Sequence, residues 1–291
     1  MPFLSPCGKG YEGLRICSLG EVGEGPLQTI LILGCGNMGG AMLTGWLASD
    51  LPITLTVVDP ALAKVPATVR LLREVPAEQF DVVLLGVKPQ VLASAAPNLA
   101  AVMTSETVLL SMLAGAELAT LAAHFPVNGG IVRVMPNLAA AIGQSPIGLY
   151  ADTLAGPAKA AVTTLLTPLG TPEWLAREAM LDAVTALAGS GPAFVYRFIE
   201  ALAAGGAALG LDPAQAGRLA LATVTGAAAL AAAADTAPAE LARRVTSAGG
   251  TTAAGLAVLD HDAALLGLVG ETLRAARDRG AELAAAVRGY G

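Results

Sequence analysis

Charge is scarce in this 291-residue chain: Asp, Glu, Lys and Arg make up only 14% of it, and histidine occurs twice. A nucleic-acid surface needs a basic stripe, and 17 basic against 23 acidic residues, divided evenly between the two halves, provide none. His124 and His261 stand apart from any Cys, His or carboxylate cluster, so no metal site is expected. The three cysteines, Cys7, Cys17 and Cys35, form an odd count without metal-ligand spacing. That argues against a disulfide framework and against zinc, and it fits a reducing cytoplasm. The most apolar run, "LALATVTGAAALAAAA" at 219–234, has 16 residues, short of the roughly 20 that cross a bilayer, so it reads as a buried helix with no membrane partner. Residues 1–27 lack a basic start followed by an apolar core, and are expected to be a disordered N-terminal extension.

Hydrophobic residues are abundant, at 54%. This excludes a disordered chain and implies extensive buried surface, including an interface between copies. Short apolar runs, "QTILIL" (28–33), "ITLTVVD" (53–59), "FDVVLLGV" (80–87), "TVLLSML" (107–113) and "GIVRVMP" (130–136), alternate with helical spacing such as "GGAMLTGWLAS" and "PQVLASAAPNLAAVM". Alternating strands and helices predict a doubly wound parallel sheet, a Rossmann-type α/β domain. Residues 60–79 have room only for a short strand around "TVRLL". Past "IGLYADT" come a helical stretch from 155, a strand in "GTPEWLA", then long Ala-, Leu- and Gly-rich helices. The expected division is a dinucleotide-binding domain over 28–175 and an all-α dimerisation and substrate-binding domain over 176–291.

"LILGCGNMGGAML" places Gly34, Gly36 and Gly39 as G-x-G-x-x-G between a strand and a helix. The first glycine permits the tight turn, the second lets backbone reach a pyrophosphate, and the third lets helix pack on strand. Cys35, Asn37 and Met38 complete the expected cofactor turn. Asp59 ends the second strand 20 residues after Gly39. There it either accepts hydrogen bonds from the adenosine ribose, favouring NADH over NADPH, or caps the turn at Pro60. A 2′-phosphate would need Lys64, Arg70 or Arg73 to offset it. In "GVKPQ", Gly86, Val87, Lys88 and Pro89 follow the fourth strand at the ligand-binding edge, with Lys88 either meeting cofactor or simply solvated.

"VTSAGGTTAAGL" interrupts helical sequence with Gly249 and Gly250 between Ser247 and the pair Thr251 and Thr252. Two readings stand: a carboxylate-binding helix start, or an ordinary cap in which a threonine satisfies its own helix. Together with "GCGNMGGAM", "GVKPQ", "SMLAG", "RVMPN" and "AVTALAGSGPAFVYRFIEAL", this block resembles the pyrroline-5-carboxylate reductase family, in the family's order, from about 28 to 288. Ala248 departs from the family's usual proline, "MPNLAA" lacks a proline two residues after the asparagine, and Asp59 replaces small or basic residues common in members using NADPH.

The resemblance implies reduction of a cyclic imino acid to L-proline with NADPH or NADH, by a homodimer or a higher oligomer of dimers. It implies that Ser247, Gly249, Gly250, Thr251, Thr252 and Ser190 hold the substrate, and that Thr252 and Thr185 serve the reaction. Thr185 is the candidate proton donor, although a threonine bonded to its own helix is the competing reading. Asn137 is expected near the nicotinamide amide, and Arg133 to be structural. A related imine reductase or β-hydroxyacid reductase is the alternative. The latter is weakened because residues 160–242 contain no lysine to act on a carbonyl.

Overall fold

The computed structural model describes residues 27–288, with side chains through Glu282, so the expectation for 1–27 lies, except at Leu27, outside the described residues. Strand β1 (Thr29–Leu33) enters helix α1 (Asn37–Leu47), followed by β2 (Thr54–Val58), β3 (Arg70–Leu72) and β4 (Val82–Leu85). Next come α2 (Leu92–Ala100), β5 (Val108–Ser111), α3 (Leu118–His124) and β6 (Gly130–Met135). Then follow β7 (Ser145–Tyr150), α4 (Gly156–Leu166) and β8 (Gly170–Trp174). The eight strands lie in one sheet, in the order β3-β2-β1-β4-β5-β6-β7-β8.

Side chains alternate between the faces of a strand, and both faces here are covered. Ile30, Ile32, Val57, Leu84 and Leu110 point to one face, where Met42 and Trp46 of α1 and Val162, Leu165 and Leu166 of α4 pack. Leu31, Leu33, Val83, Leu85 and Leu109 point to the other, under Leu92, Ala96 and Leu99 of α2 and Leu121 of α3. The apolar runs read from the sequence are therefore continuous because both sides of each strand are buried.

The sheet is not parallel throughout. β7 runs antiparallel to β6, pairing Arg133 with Tyr150 and Met135 with Gly148, and β8 runs parallel to β7. "SPIGLY" gives no strand signal in the sequence, since Pro146 and Gly148 both weaken strands. Pro146 is tolerated because its pairing is to β8, beyond the β6 ladder. Gly148 is required because an added Cβ would lie 2.7 Å from Cγ1 of Val184, on the helix crossing above.

The rest of the chain is helical: α5 (Met180–Val184), a π-helical turn (Thr185–Gly189), α6 (Gly191–Ala208), α7 (Pro213–Ala232), α8 (Pro238–Arg244), α9 (Thr251–Asp260) and α10 (Ala264–Arg288). α6 packs against α7, and α10 against α9, α5 and the π-turn. Much apolar surface stays bare here, with Leu209 90%, Leu266 76% and Val258 72% exposed. By length and composition Thr251–Glu282 is apolar enough to cross a membrane, but Asp262 and Ala263 break it with φ of 48° and 55°.

Gly45 shows how tightly α1 sits. A Cβ there would meet the Ala140 carbonyl oxygen at 2.2 Å. Gly to Ala in a helix normally gains about 1 kcal/mol. Here Gly45→Ala is expected to cost about 1–3 kcal/mol instead. A calorimetric Tm equal to or above wild type would contradict this packing.

Candidate active site

Three segments converge at the carboxyl edge of the sheet, between β1 and β4, where the strand order reverses and ligands of doubly wound sheets bind. Gly34 turns the chain with φ 83°; a Cβ on it would lie 2.8 Å from Val87 Cγ1. A Cβ on Gly39 would lie 2.6 Å from the Gly34 oxygen, and one on Gly86 2.4 Å from the same atom. Gly36 is different: it is exposed, and nothing lies within 4 Å of where its Cβ would be. It is the N-cap of α1 and offers no side-chain cap, so the first-turn amides at Asn37, Met38 and Gly39 lack one. Open space over uncapped N–H groups at the positive end of a helix fits the pyrophosphate of a dinucleotide.

Asp59 does the capping allowed as an alternative. Its Oδ1 accepts from the N–H of Ala61 (2.8 Å) and Leu62 (3.1 Å), and its Oδ2 from the N–H of Cys35 (2.9 Å). The carboxylate thus ties the loop after β2 to the glycine turn. Burial pushes the Asp59 carboxyl up, but the three N–H donors and nearby Arg73 outweigh it and hold it below the ordinary range. Burial, with Asp59 adding to it, raises the Cys35 thiol, which is 8% exposed and is no reactive nucleophile. Arg73 Nη1 donates to the carbonyls of Asp59, Pro60 and Leu62, holding a guanidinium over the loop that follows β2. Gly86 and Val87 are half-buried, and Pro89 opens a short 3₁₀ turn, Pro89–Val91, N-capped by exposed Lys88.

The second group of residues lies on the helical unit. Gly249 adopts φ 70°, the Gly250 N–H donates to the Ser247 carbonyl (3.0 Å), and Gly250 caps α9 in extended backbone. Neither threonine caps the helix, so that competing reading fails, and Ser247, Thr251 and Thr252 are exposed. Thr185 behaves otherwise. Its hydroxyl donates to the Leu181 carbonyl (2.8 Å), so its proton is spent on its own helix and is not directed at an imine. Ser190 closes the π-turn, its N–H donating to the Thr185 carbonyl (2.9 Å), and has no side-chain cap bond.

Asn137 also corrects the sequence reading. It is 6% exposed and its amide is turned inward: Oδ1 accepts from Ala139 N–H (2.9 Å) and Nδ2 donates to the Ala188 carbonyl (3.0 Å). Arg133, read as structural, pairs with Glu178 at 2.9 Å, and the same Glu178 oxygen accepts from Leu118 N–H at 2.7 Å. Spacing gave no sign of either link, since the partners are 51 and 45 residues apart. A cleft of about 380 Å³ lies between Leu118, Ile131, Tyr150, Asp152 and Glu178 and takes in none of the expected site residues.

The lowered Asp59 pKa fixes a sign. An ionised Asp59 stabilises the fold above its ordinary value near 4, and that contribution is lost as pH falls through the lower folded value. The stability deficit of Asp59→Asn is therefore expected at pH 7 and shrinks toward pH 3. Urea midpoints across that range check this, and a deficit independent of pH would contradict it.

A family model described as pyrroline-5-carboxylate reductase dimerisation matches residues 178–283, and one described as NADP oxidoreductase, coenzyme F420-dependent, matches residues 29–115. The chain is 37% identical over 264 residues to the pyrroline-5-carboxylate reductase of Pseudomonas aeruginosa, covering 88% of this chain and 96% of that one. It is 35% identical over 267 residues to that of Methanosarcina acetivorans, covering 88% and 98%. The solved pyrroline-5-carboxylate reductase of Coxiella burnetii superposes with a TM-score of 0.80 at 28% identity, covering 88% of this chain and 98% of the other. The Plasmodium falciparum pyrroline carboxylate reductase, solved with NADP bound, superposes with a TM-score of 0.74 at 26% identity, covering 88% and 97%. With a glycine cradle built for a dinucleotide, a helical unit matched to the dimerisation model and relatives aligned over nearly their whole length, the chain belongs to the pyrroline-5-carboxylate reductase family.

Proposed function

We propose that this chain reduces 1-pyrroline-5-carboxylate to L-proline, taking hydride from NADH or NADPH, as a cytoplasmic homo-oligomer built from dimers. The observation that carries the reading is the uncapped, glycine-led start of α9. It offers backbone N–H groups and the hydroxyls of Thr251, Thr252 and Ser247 to an acid group, within the region matched by the dimerisation model. Family membership supplies the substrate class, and this turn is where the substrate carboxylate fits.

The nicotinamide cofactor supplies the hydride when bound. The protein's part is to bind, orient and exclude water. The amides of residues 37–39 would hold the pyrophosphate, and Gly86 to Pro89 would border the cofactor along the sheet edge. The turn from Ser247 to Thr252 fixes the substrate's acid group, and the Gly189–Ser190–Gly191 turn borders the ring. A cyclic imine gains a proton near neutral pH more readily than a carbonyl does, so positioning with preorganised neutral donors serves in place of a strong side-chain acid. Ser190, whose side chain makes no cap bond, is better placed for the ring nitrogen than Thr185. Asp59, bonded to backbone N–H groups, remains charged at neutral pH and by like-charge repulsion favours NADH over the 2′-phosphate of NADPH, while Arg73 beside it offers that phosphate a counter-charge.

The bare apolar faces of α6, α7, α9 and α10 are read as contacts between copies rather than with lipid, because the dimerisation model matches this unit and the chain breaks at Asp262. The exposed turn at 247–252 belongs to the same unit, so pairing would also shield it from water.

Oxidation of NADH and NADPH with pyrroline-5-carboxylate, beside unsubstituted 1-pyrroline, tests the assignment. Turnover is expected with both cofactors, NADH preferred, and only when the carboxylate is present; equal turnover of the bare ring would overturn it. Thr252→Ala is expected to raise the substrate KM about tenfold, the loss of roughly 1.4 kcal/mol of hydrogen bonding, with cofactor affinity unchanged. A loss confined to cofactor affinity would contradict the site. Sedimentation at micromolar concentration is expected to give a dimer or larger, and a monomer would refute the interface.

A further inference from the structure

The carbonyl of Ala188 lacks the donors of the two helix types, α and π, that meet around it. Four residues on is Pro192, which has no N–H, and five residues on is Ala193, whose N–H goes to the Ser190 carbonyl at 3.0 Å. Ala188 is 7% exposed, so water does not readily replace them, and a buried unpaired carbonyl is costly. The missing donor comes from the other domain: Asn137 Nδ2 at 3.0 Å. Asn137 is itself over-determined. Its Oδ1 caps the 3₁₀ turn Leu138–Ile142 through Ala139 N–H, and its own N–H donates to the hydroxyl of Ser145, which is 0% exposed, at 2.8 Å.

The location gives the bond its meaning. Asn137 lies two residues beyond the carboxyl end of β6, three strands from β1 on the β4 side. The second half of a dinucleotide bound at the β1–β4 reversal extends over that edge. Ala188 lies in the π-turn that leads directly into Gly189–Ser190–Gly191. The hydrogen bond therefore joins the nicotinamide end of the cradle to the turn bordering the substrate ring.

We propose that Asn137 is a positioning residue: its carboxamide, by supplying the donor that Pro192 denies to Ala188, sets the distance between the nicotinamide and the bound imine. It touches neither reactant. Hydride transfer needs donor and acceptor carbons at about 3–3.5 Å, and a displacement of about 1 Å costs on the order of 100-fold in rate. The inference rests on the reductase reading. Turnover by the wild-type enzyme tests that reading, whereas only the ratios between variants test the tether.

Asn137→Ala in the full-length enzyme is expected to lower kcat by about 10- to 100-fold while the dissociation constant for NAD(P)H, from fluorescence titration, stays within about twofold. With cofactor deuterated at the transferred position, the primary isotope effect on kcat is expected to rise as the chemical step becomes limiting. A loss of folded protein alone would not change that ratio. The double variant Asn137→Ala with Pro192→Ala separates the two roles of the bond. An alanine N–H at 192 satisfies the Ala188 carbonyl within its own helix but does not reach across to β6. Recovery of Tm without recovery of kcat supports the tether. Recovery of kcat together with Tm, or a folded Asn137→Ala enzyme with unchanged kcat and isotope effect, overturns it. If the single variant does not fold, the double variant decides by its kcat and isotope effect.

Discussion

The carbonyl of Gly34 leaves no room for a side chain on the two segments that flank it. Cβ atoms at Gly39 and Gly86 would lie 2.6 and 2.4 Å from its oxygen, and both obstacles are backbone that cannot step aside. This contact brings the start of α1, the end of β1 and the end of β4 to one point. The backbone N–H of Gly86 donates to Leu33 and that of Gly34 to Val58, which adds β2 to the same junction. A side chain at Gly39 would push α1 off the sheet, and one at Gly34 or Gly86 would force the ends of β1 and β4 apart, so in each case the uncapped amides would lose their place at the strand-order reversal. Asp59 completes the lock by holding the Cys35 N–H from the far side of the turn.

Much of this was legible because both determinants are local in sequence. Gly34, Gly36 and Gly39 are spaced for a strand-turn-helix, and apolar runs on strands buried from both sides do not depend on partners to be recognised. What escaped notice depends on distant partners. β7 carries Pro146 and Gly148, which speak against a strand until pairing to β8 is seen to accommodate the first and Val184 to require the second. Asp59 was correctly seen as a carboxylate at the end of β2. Whether it faced ribose or backbone depended on a loop conformation set by Arg73, 14 residues away. Asn137 and Thr185 were picked for chemistry because they are polar residues within recognisable blocks. Polar side chains that are buried or half-buried more often satisfy backbone groups, and these two do.

The reversal of β7 and β8 has a purpose in the fold. A further crossover helix would be needed to continue the parallel sheet, and no α-helix is present among the described residues between β6 and β7. Turning back instead puts the start of β7 beside the end of β6, so that Ser145 and Asn137 meet at the ligand edge. It also places Gly148 under α5, where the missing side chain lets the first helix of the next unit lie directly on the sheet. Arg133 and Glu178 fasten the same junction from further along β6. Breaking either partner of this pair would strand the other charge, since the Arg133 side chain is only 8% exposed. The connection between sheet and helices thus combines apolar packing of α5 on Gly148 with polar contacts whose geometry is directional.

The two turns assigned to ligands share one local design. Gly34 and Gly249 both take left-handed backbone, with φ of 83° and 70°, and an extended glycine at the N-cap comes two residues after the first, Gly36 with ψ −158°, and directly after the second, Gly250 with ψ 171°. Neither cap has a side-chain oxygen bonded to the first-turn amides, although Ser or Asp at such a position ordinarily stabilises a helix by about 1 kcal/mol. A capping oxygen would occupy the same N–H groups that an incoming phosphate or carboxylate needs. Leaving them uncapped sacrifices a little stability in each helix and keeps a neutral anion site at each start. A neutral site suits a chain that is 14% charged, because no lysine or arginine has to be desolvated to balance the ligand. The donors are fixed by the helix itself, so little reorganisation is needed when the anion arrives.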